Sequence, residues 1–438
     1  VLLTVYRVLL VSLNRETVPY PVFPVGVWTL AQYLSRHTEV QVDVADPLIA
    51  DDPGPWLTPF LQKKPYDLVG LALRNIDNLS WPESISYLPD IRQTVLEIKR
   101  HYPLEQVVVG GAGYSIFGQP LLDELGLRHG VSGAGEQRLL ARLTGRPPEQ
   151  CPAPDFGFAR AVPGQVLRHY YKLSGMIGIQ TRRGCAYNCS YCTYPQIEGH
   201  HFQLRDIKKV IREMQDIQER AGAEVFYFVD SLFNAPRDYT LALLRALAEA
   251  PLFFRWYAFV SPGGFDDEMA QAMKAAGCRG IEFGSESGSD IILQSLGKHF
   301  TAQQVVQASQ CCCRAGIPFC HYLALGAPEE TLGTVAESVA CMERCEPNTV
   351  IVSIGIRLYP NTPLAHRRIR EGRLVATDPL LEPRFIEPDE ISLPAIRDYC
   401  KRSCPSHWVY PGMQVSLHLE QMRYMRERGL KGPLWDYI

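Results

Sequence analysis

The sequence predicts an α/β protein built from two parallel-sheet domains in succession, and three observations predict it. Short, almost wholly apolar runs alternate with amphipathic helical patterns, the mark of parallel strands covered on both faces. Residues 146–168 hold five prolines and no periodicity, so they divide the chain. All thirteen cysteines lie at or after Cys151, so the two halves do different chemistry. The expected organisation is a doubly wound domain over 1–145, a linker over 146–175, a partial (β/α)6 barrel over 176–370 and a C-terminal extension over 371–438.

In the first half "RVLLVSL" reads as a strand and "PVGVWTLAQYLSRH" as a helix opened by Pro24, whose fixed φ suits a first turn. "VQVDVADP" is a second strand. A helix around Trp56 to Lys63 follows, then the strand "DLVGLAL" and a helix from about Leu88 to His101. "QVVVGG", the helical "QPLLDELG" and the short strand "HGVSG" complete the domain, whose ligand is expected beyond the carboxyl ends of its strands. From Met176 six strands follow: "MIGIQT", "EVFYFVD", "FRWYAFVSPG", "GIEFGSES", "PFCHYLALG" and "TVIVSIGIRLYP". Helical patterns separate them, which places a site at their C-terminal rim. In the extension "SLHLEQMRYMRERG" reads as one amphipathic helix.

Composition is that of a globular chain: 46% apolar, 21% charged, net charge -3. That balance argues against a dominant nucleic-acid surface, which leaves a basic footprint. The apolar N-terminus "VLLTVYRVLLVSLN" contains Arg7 and no small-residue cleavage site. It reads as a buried strand, not as a signal peptide or membrane span. An odd number of clustered cysteines does not make a secreted disulfide framework, and the expected location is the cytoplasm.

The chemistry concentrates in "RRGCAYNCSYCTYP", where Cys185, Cys189 and Cys192 directly follow the first barrel strand. A structural zinc or an ordinary iron–sulfur centre takes four protein ligands, so three leave one metal corner open. This CxxxCxxC loop, with Tyr191 inside it, resembles that of the radical S-adenosylmethionine (SAM) superfamily. The resemblance implies a [4Fe–4S] cluster on the three thiolates, with SAM chelating the fourth iron. It also implies SAM contacts from strand ends. "VDSLFN" supplies Asp230 and Asn234, "IEFGSESGSD" supplies Glu282, Ser285, Glu286 and Ser287, and "IRLYPNTPLA" supplies Arg357 and Tyr359. Of these, Asp230, Glu286, Ser287 and Arg357, with Tyr191, are the candidate SAM-binding residues.

In the first domain Gly110 and Gly111 end one strand, and Gly133, Gly135 and Glu136 follow the next. Glycine there lets backbone approach a large flat or phosphorylated ligand. No G-x-G-x-x-G opens a helix after the first strand, which argues against a dinucleotide. Placed before a radical SAM barrel, and with "LALRNIDNLSW" and "VPYPVFPVG" in its loops, this Rossmann-like domain resembles the cobalamin-binding module of cobalamin-dependent radical SAM enzymes. One departure stands out. Where many corrinoid proteins carry D-x-H-x-x-G, this chain has "SLNRETVPYPVFPVG", and His37, His101 and His129 read as surface residues. The candidates for the lower face of cobalt are then Arg74, Asn75 and Asn78. Arg74 has no lone pair to offer and would discourage an axial bond. The alternative is that Arg74 simply pairs with Asp77 or a propionamide.

Cys311, Cys312 and Cys313 sit on one predicted helix, and Cys341 with Cys345 and Cys400 with Cys404 have i,i+4 spacing. Buried packing is expected of them before an auxiliary cluster. Together the resemblances imply a methyltransferase acting on an unactivated carbon, through a 5′-deoxyadenosyl radical and methylcobalamin. The alternative is a non-methylating rearrangement, ring contraction or cyclisation. A methylthiotransferase would carry a second cysteine-held cluster in its N-terminal domain, and this one has no cysteine. The expected partners are a small-molecule or peptide substrate and an external electron donor of flavodoxin or ferredoxin type, with no membrane and no nucleic acid.

Overall fold

The computed structural model describes residues 5–50, 56–62, 65–251, 254–411 and 415–437, with the backbone alone at 415–419. Five strands form the first sheet: β1 (Tyr6–Ser12), β2 (Val40–Ala45), β3 (Leu68–Ala72), β4 (Val107–Gly110) and β5 (His129–Val131). Their order is β2-β1-β3-β4-β5, and every pair is parallel. Along β1 the side chains alternate between two cores. Val8 and Leu10 join one, Leu9 and Val11 the other, as the period of two requires. Strand order reverses between β1 and β3. The loops after these two strands, which hold "SLNRETVPYPVFPVG" and "LALRNIDNLSW", therefore flank the crevice of the sheet.

Three helical expectations change. The helix placed around Trp56 to Lys63 is one turn, Thr58–Leu61, and Lys63 lies outside the described residues. "QPLLDELG" is only the second half of a helix running Ala112–Leu125, interrupted at Gly118 (φ 54°) just before Pro120. Gly111, expected only as the end of a strand, caps this helix at φ 91°. The proline-rich linker contains a helix of its own, Gly164–Ser174, and packs tightly. Phe156 and Phe158 are buried, Tyr170 donates to Asp46 (2.7 Å), and Glu213 accepts from the backbone N–H of Phe158 and Ala159.

The second sheet comprises β6 (Ile177–Ile179), β9 (Val225–Phe228), β10 (Arg255–Val260), β11 (Cys278–Glu286), β12 (Phe319–Leu325) and β13 (Thr349–Ile354). A small antiparallel pair, β7 (Arg182–Arg183) and β8 (Gln203–Leu204), brackets the cysteine loop. The six long strands run β13-β12-β11-β10-β9-β6, all parallel, and the two edge strands do not meet. Other parts of the chain cover this open barrel. One core joins Val8 and Trp28 to Ile177 and Phe228, and another joins Leu73 and Phe117 to Leu358 and Leu364. The C-terminal segment reaches the N-terminal end of the strands, where Trp435 lies so close to Gly280 that a Cβ there would meet its ring at 2.6 Å. Tyr257 donates to Asp436 beside it (2.6 Å). The helix expected from "SLHLEQMRYMRERG" is present as Val415–Glu427. Among the described residues no helix is long and apolar enough to cross a membrane.

Candidate functional site

The cysteine loop leaves β7 through Gly184 (φ 89°), where a Cβ would collide with the carbonyl of His201. Asp230 holds the approach to it. Its carboxylate accepts from Thr181 N (2.6 Å), Thr181 Oγ1 (2.5 Å) and Arg182 N (3.1 Å), with Arg182 Nε at 3.3 Å. Glu198 accepts from Gly184 N (3.0 Å) and Gln180 Nε2 (2.8 Å), and Ser190 N donates to Leu296 O (2.9 Å). Cys185, Cys189 and Cys192 project from this frame half-buried and unpaired. Burial pushes all three thiols up, Cys192 to about 12, while Lys298 pulls each of them down. Such thiols ionise readily only when a metal takes their charge. Among the described residues no three His, Cys, Asp or Glu side chains converge on a single ion. Three thiols on one short loop suit a polynuclear cluster, in which each would hold a different iron.

Beside the thiols stands a triad that includes a residue sequence reading missed. Glu286 accepts from Tyr191 Oη (2.9 Å) and from Lys298 Nζ (3.2 Å), and Lys298 also lies 5.4 Å from the centre of the Tyr191 ring. Glu286 adopts φ 65°, a left-handed backbone that costs about 1–3 kcal/mol in a non-glycine residue and marks a functional constraint. Lys298 follows Gly297 (φ 69°), and a Cβ at Gly297 would lie 3.1 Å from Asn188 O. That glycine before a lysine was the only local signal.

Several strand-end candidates do something else. Asp230 is fully enclosed and spends its oxygens on the loop. Ser287 is fully buried against Ser338 Oγ (2.9 Å) and accepts from Ser289 N (3.1 Å). Arg357 turns away from the rim: Nε and Nη2 reach Asp77 Oδ2 at 2.8 and 2.7 Å, and Nη1 donates to Leu358 O. Nη2 also donates to Leu380 O (3.1 Å), so four of its five N–H groups are engaged within the protein. Glu136 is likewise occupied, by Arg183 Nη1 at 2.7 Å, which ties the cysteine loop to the first domain.

The glycine-bordered strand ends serve backbone crossings. A Cβ on Gly111 would lie 2.5 Å from Leu73 O, and one on Gly110 would lie 3.3 Å from Val131 O. Gly133 (φ 70°) stands opposite Ile197 O at the foot of the cysteine loop, while Gly135 precedes the helix Glu136–Thr144. Asn75 donates to Asp77 O (2.8 Å) and Asn78 to Glu83 O (2.9 Å), so both shape the loop after β3. Arg74 differs from them. Asp77 belongs to Arg357, and Arg74 makes no ion pair or hydrogen bond among the described residues.

Arg74 and Tyr20, from loops of the first domain, lie near Tyr194 of the cysteine loop. The surface of Arg74 is exposed, yet burial pushes its guanidinium down, with Tyr194, Glu16 and Tyr20 opposing that shift. Tyr194 is 40% exposed, yet burial pushes its phenol up. Tyr194 senses both Cys192 and Arg74, and Tyr20 senses both Glu282 and Arg74. Tyr20, Tyr191, Tyr227 and Tyr322 share this environment, half-exposed by surface and raised by burial. Buried Glu282 accepts from Tyr227 Oη and Trp435 Nε1, both at 2.8 Å, and burial raises its carboxyl. Tyr20, Tyr227 and Tyr322 escaped the sequence reading because they come from three separate segments. Two hollows of about 300 and 310 Å3 lie elsewhere, on the outer surface.

Comparison with known proteins follows this division of the chain. Residues 179–342 match the model of the Radical SAM superfamily. The tryptophan 2-C-methyltransferase of Streptomyces laurentii is 24% identical over 82% of this chain and 74% of its own. The structure of the radical S-adenosylmethionine methyltransferase TsrM from Kitasatospora setae, with tryptophan and a SAM analogue bound, superposes with a TM-score of 0.83. It is 23% identical and covers 98% of this chain and 96% of that one. A second TsrM structure, with cobalamin and a [4Fe-4S] cluster bound, gives a TM-score of 0.75 at 24% identity, covering 90% and 82%.

Proposed function

We propose that this chain, whose barrel belongs to the Radical SAM superfamily, is a cobalamin-dependent radical SAM methyltransferase acting on an unactivated carbon of a small molecule. The observation that carries the proposal is the buried ion pair of Arg357 with Asp77 (2.7 Å), which holds the loop after β3 against the barrel rim. The loop at the crevice of the first sheet is thus held beside the rim that carries the cysteine loop.

When bound, the [4Fe–4S] cluster, SAM and cobalamin supply the radical and methyl-transfer chemistry. The protein supplies the rest. Cys185, Cys189 and Cys192 hold the cluster, and Lys298 offsets the negative charge gathered there. Tyr191 and Lys298 fix Glu286 at the rim where SAM binds. Arg74 would present to a bound corrinoid a guanidinium, which has no lone pair to offer a metal. Tyr20, Tyr194, Tyr227 and Tyr322 line an enclosed space that keeps bulk water from the substrate. The enclosure suits a small molecule better than a peptide. Reduction comes from an external one-electron donor of flavodoxin or ferredoxin type, and the unpaired cysteines suit the cytoplasm.

The test is product analysis with anaerobically reconstituted, cobalamin-loaded protein, reductant, SAM and candidate small molecules. A product heavier by one methyl group, with S-adenosylhomocysteine released, supports methyl transfer. Turnover with no gain of mass would assign the chain to a rearrangement or cyclisation instead.

A further inference from the structure

The hollow of about 300 Å3 on the outer face lies on the seam where three parts of the chain meet: the helix Val25–Ser35, the linker and the helix Ile207–Ala221. Five cations line it, Arg36, Arg160, Arg205, Lys209 and Arg212, against the carboxylates of Asp155, Glu213 and Asp216. Five minus three leaves a formal +2 in a chain whose net charge is -3.

The carboxylates are already committed. Asp155 is shared by Arg36 (2.9 Å) and Lys209 (3.5 Å), and it also accepts from Gly157 N. Glu213 accepts from Arg205 Nη1 (2.7 Å) and from two backbone N–H groups. Asp216 stands 3.9 Å from Arg160. Two donors are left over. Arg212 is exposed and has no partner among the described residues, and Arg205, with a side chain 2% exposed, keeps a buried Nε that has none. Arg212 is thus the cation of the hollow whose charge no carboxylate of the described residues pairs.

From this we infer that the hollow is a binding site for a phosphate-bearing small anion, separate from the site at the cysteine loop. Planar guanidinium forks match phosphate oxygens, and the volume is at the lower end for small-molecule sites, about 300–1,000 Å3. The site is wired to the cysteine loop. Arg205 Nη1 donates to Gln180 O (2.7 Å), and the Gln180 side chain accepts from Arg183 Nε (3.1 Å) and donates to Glu198. An anion on Arg205 therefore braces the strand end that leads to Cys185 and ties the first domain to the barrel.

The test uses the full reconstituted chain, with sodium pyrophosphate as probe and sodium chloride at equal ionic strength as control. The melting temperature should rise saturably with pyrophosphate alone, and amide exchange over 203–216 should slow. The double substitution R36A/R212A should weaken binding at least about tenfold, since two of the cations are gone. If that variant folds poorly, Arg212→Gln alone, at an exposed side chain without a partner, should still weaken it. A nucleoside diphosphate as second probe distinguishes the source: equal affinity assigns the hollow to phosphate, tighter binding to a nucleotide. No saturable shift, or a shift unchanged in both variants, would overturn the site.

Discussion

Arg357 at the end of the last barrel strand and Asp77 in the loop after β3 form a buried ion pair 280 residues apart in sequence. Their side chains are 3% and 1% exposed, and the same guanidinium also donates to Leu358 O and Leu380 O. The pair fixes the crevice of the first sheet against the barrel rim. It also removes Asp77 from Arg74.

Breaking this pair from one side should be severe. Arg357→Ala leaves Asp77 buried without its partner and should cost about 3–5 kcal/mol in chemical denaturation. Replacing both residues by apolar ones of similar size should recover much of that loss. An Arg357→Ala protein of unchanged stability that no longer binds SAM would restore the SAM role expected from its strand-end position.

Replacing Cys185, Cys189 and Cys192 together by Ala should reduce iron from about four per chain to background. The fold should survive, because Asp230, Glu198 and Gly184 hold the loop without the thiols. Iron analysis and circular dichroism check the two halves of this expectation. Retained iron would implicate other cysteines, such as Cys341 with Cys345 or Cys400 with Cys404.

Acid stability should depend on His321. Its ring is fully buried between Ser285 Oγ (2.7 Å) and Ser309 Oγ (2.9 Å), and burial lowers its pKa to about 3. The unfolded chain takes up this proton near pH 6.5 and the native one does not. Stability from this group is therefore complete above about pH 6.5 and is lost as pH falls towards about 3. The slope is up to about 1.4 kcal/mol per pH unit. Denaturation of His321→Gln between pH 4 and 7 should show a flatter slope, and an unchanged slope would place the titration elsewhere.

The strands and the cysteine loop were legible because their signals are local: apolar runs between turn residues, and three thiols within eight positions. Strand ends were legible as a rim, but not the direction each side chain takes. Ser287 and Asp230 sit at that rim and point into hydrogen bonds of their own. The ion pairs of Arg357 and Glu136 were not legible for the same reason: their partners, Asp77 and Arg183, come from the other domain. At Gly111 the missing Cβ makes room for the backbone of Leu73, a close approach that no local pattern announces. Lys298, Tyr20, Tyr227 and Tyr322 carry no motif, since only the fold brings them together.

The most direct test of the account is the electron paramagnetic resonance spectrum of the Co(II) form of cobalamin bound to this chain. No histidine stands in the loops after β1 and β3, and Arg74 is the cation there that lacks a partner. The expected spectrum shows cobalamin bound with its dimethylbenzimidazole base displaced and no splitting from an axial nitrogen. An axial-nitrogen superhyperfine pattern would contradict the role given to Arg74, and failure to bind cobalamin would contradict the reading of the whole first domain.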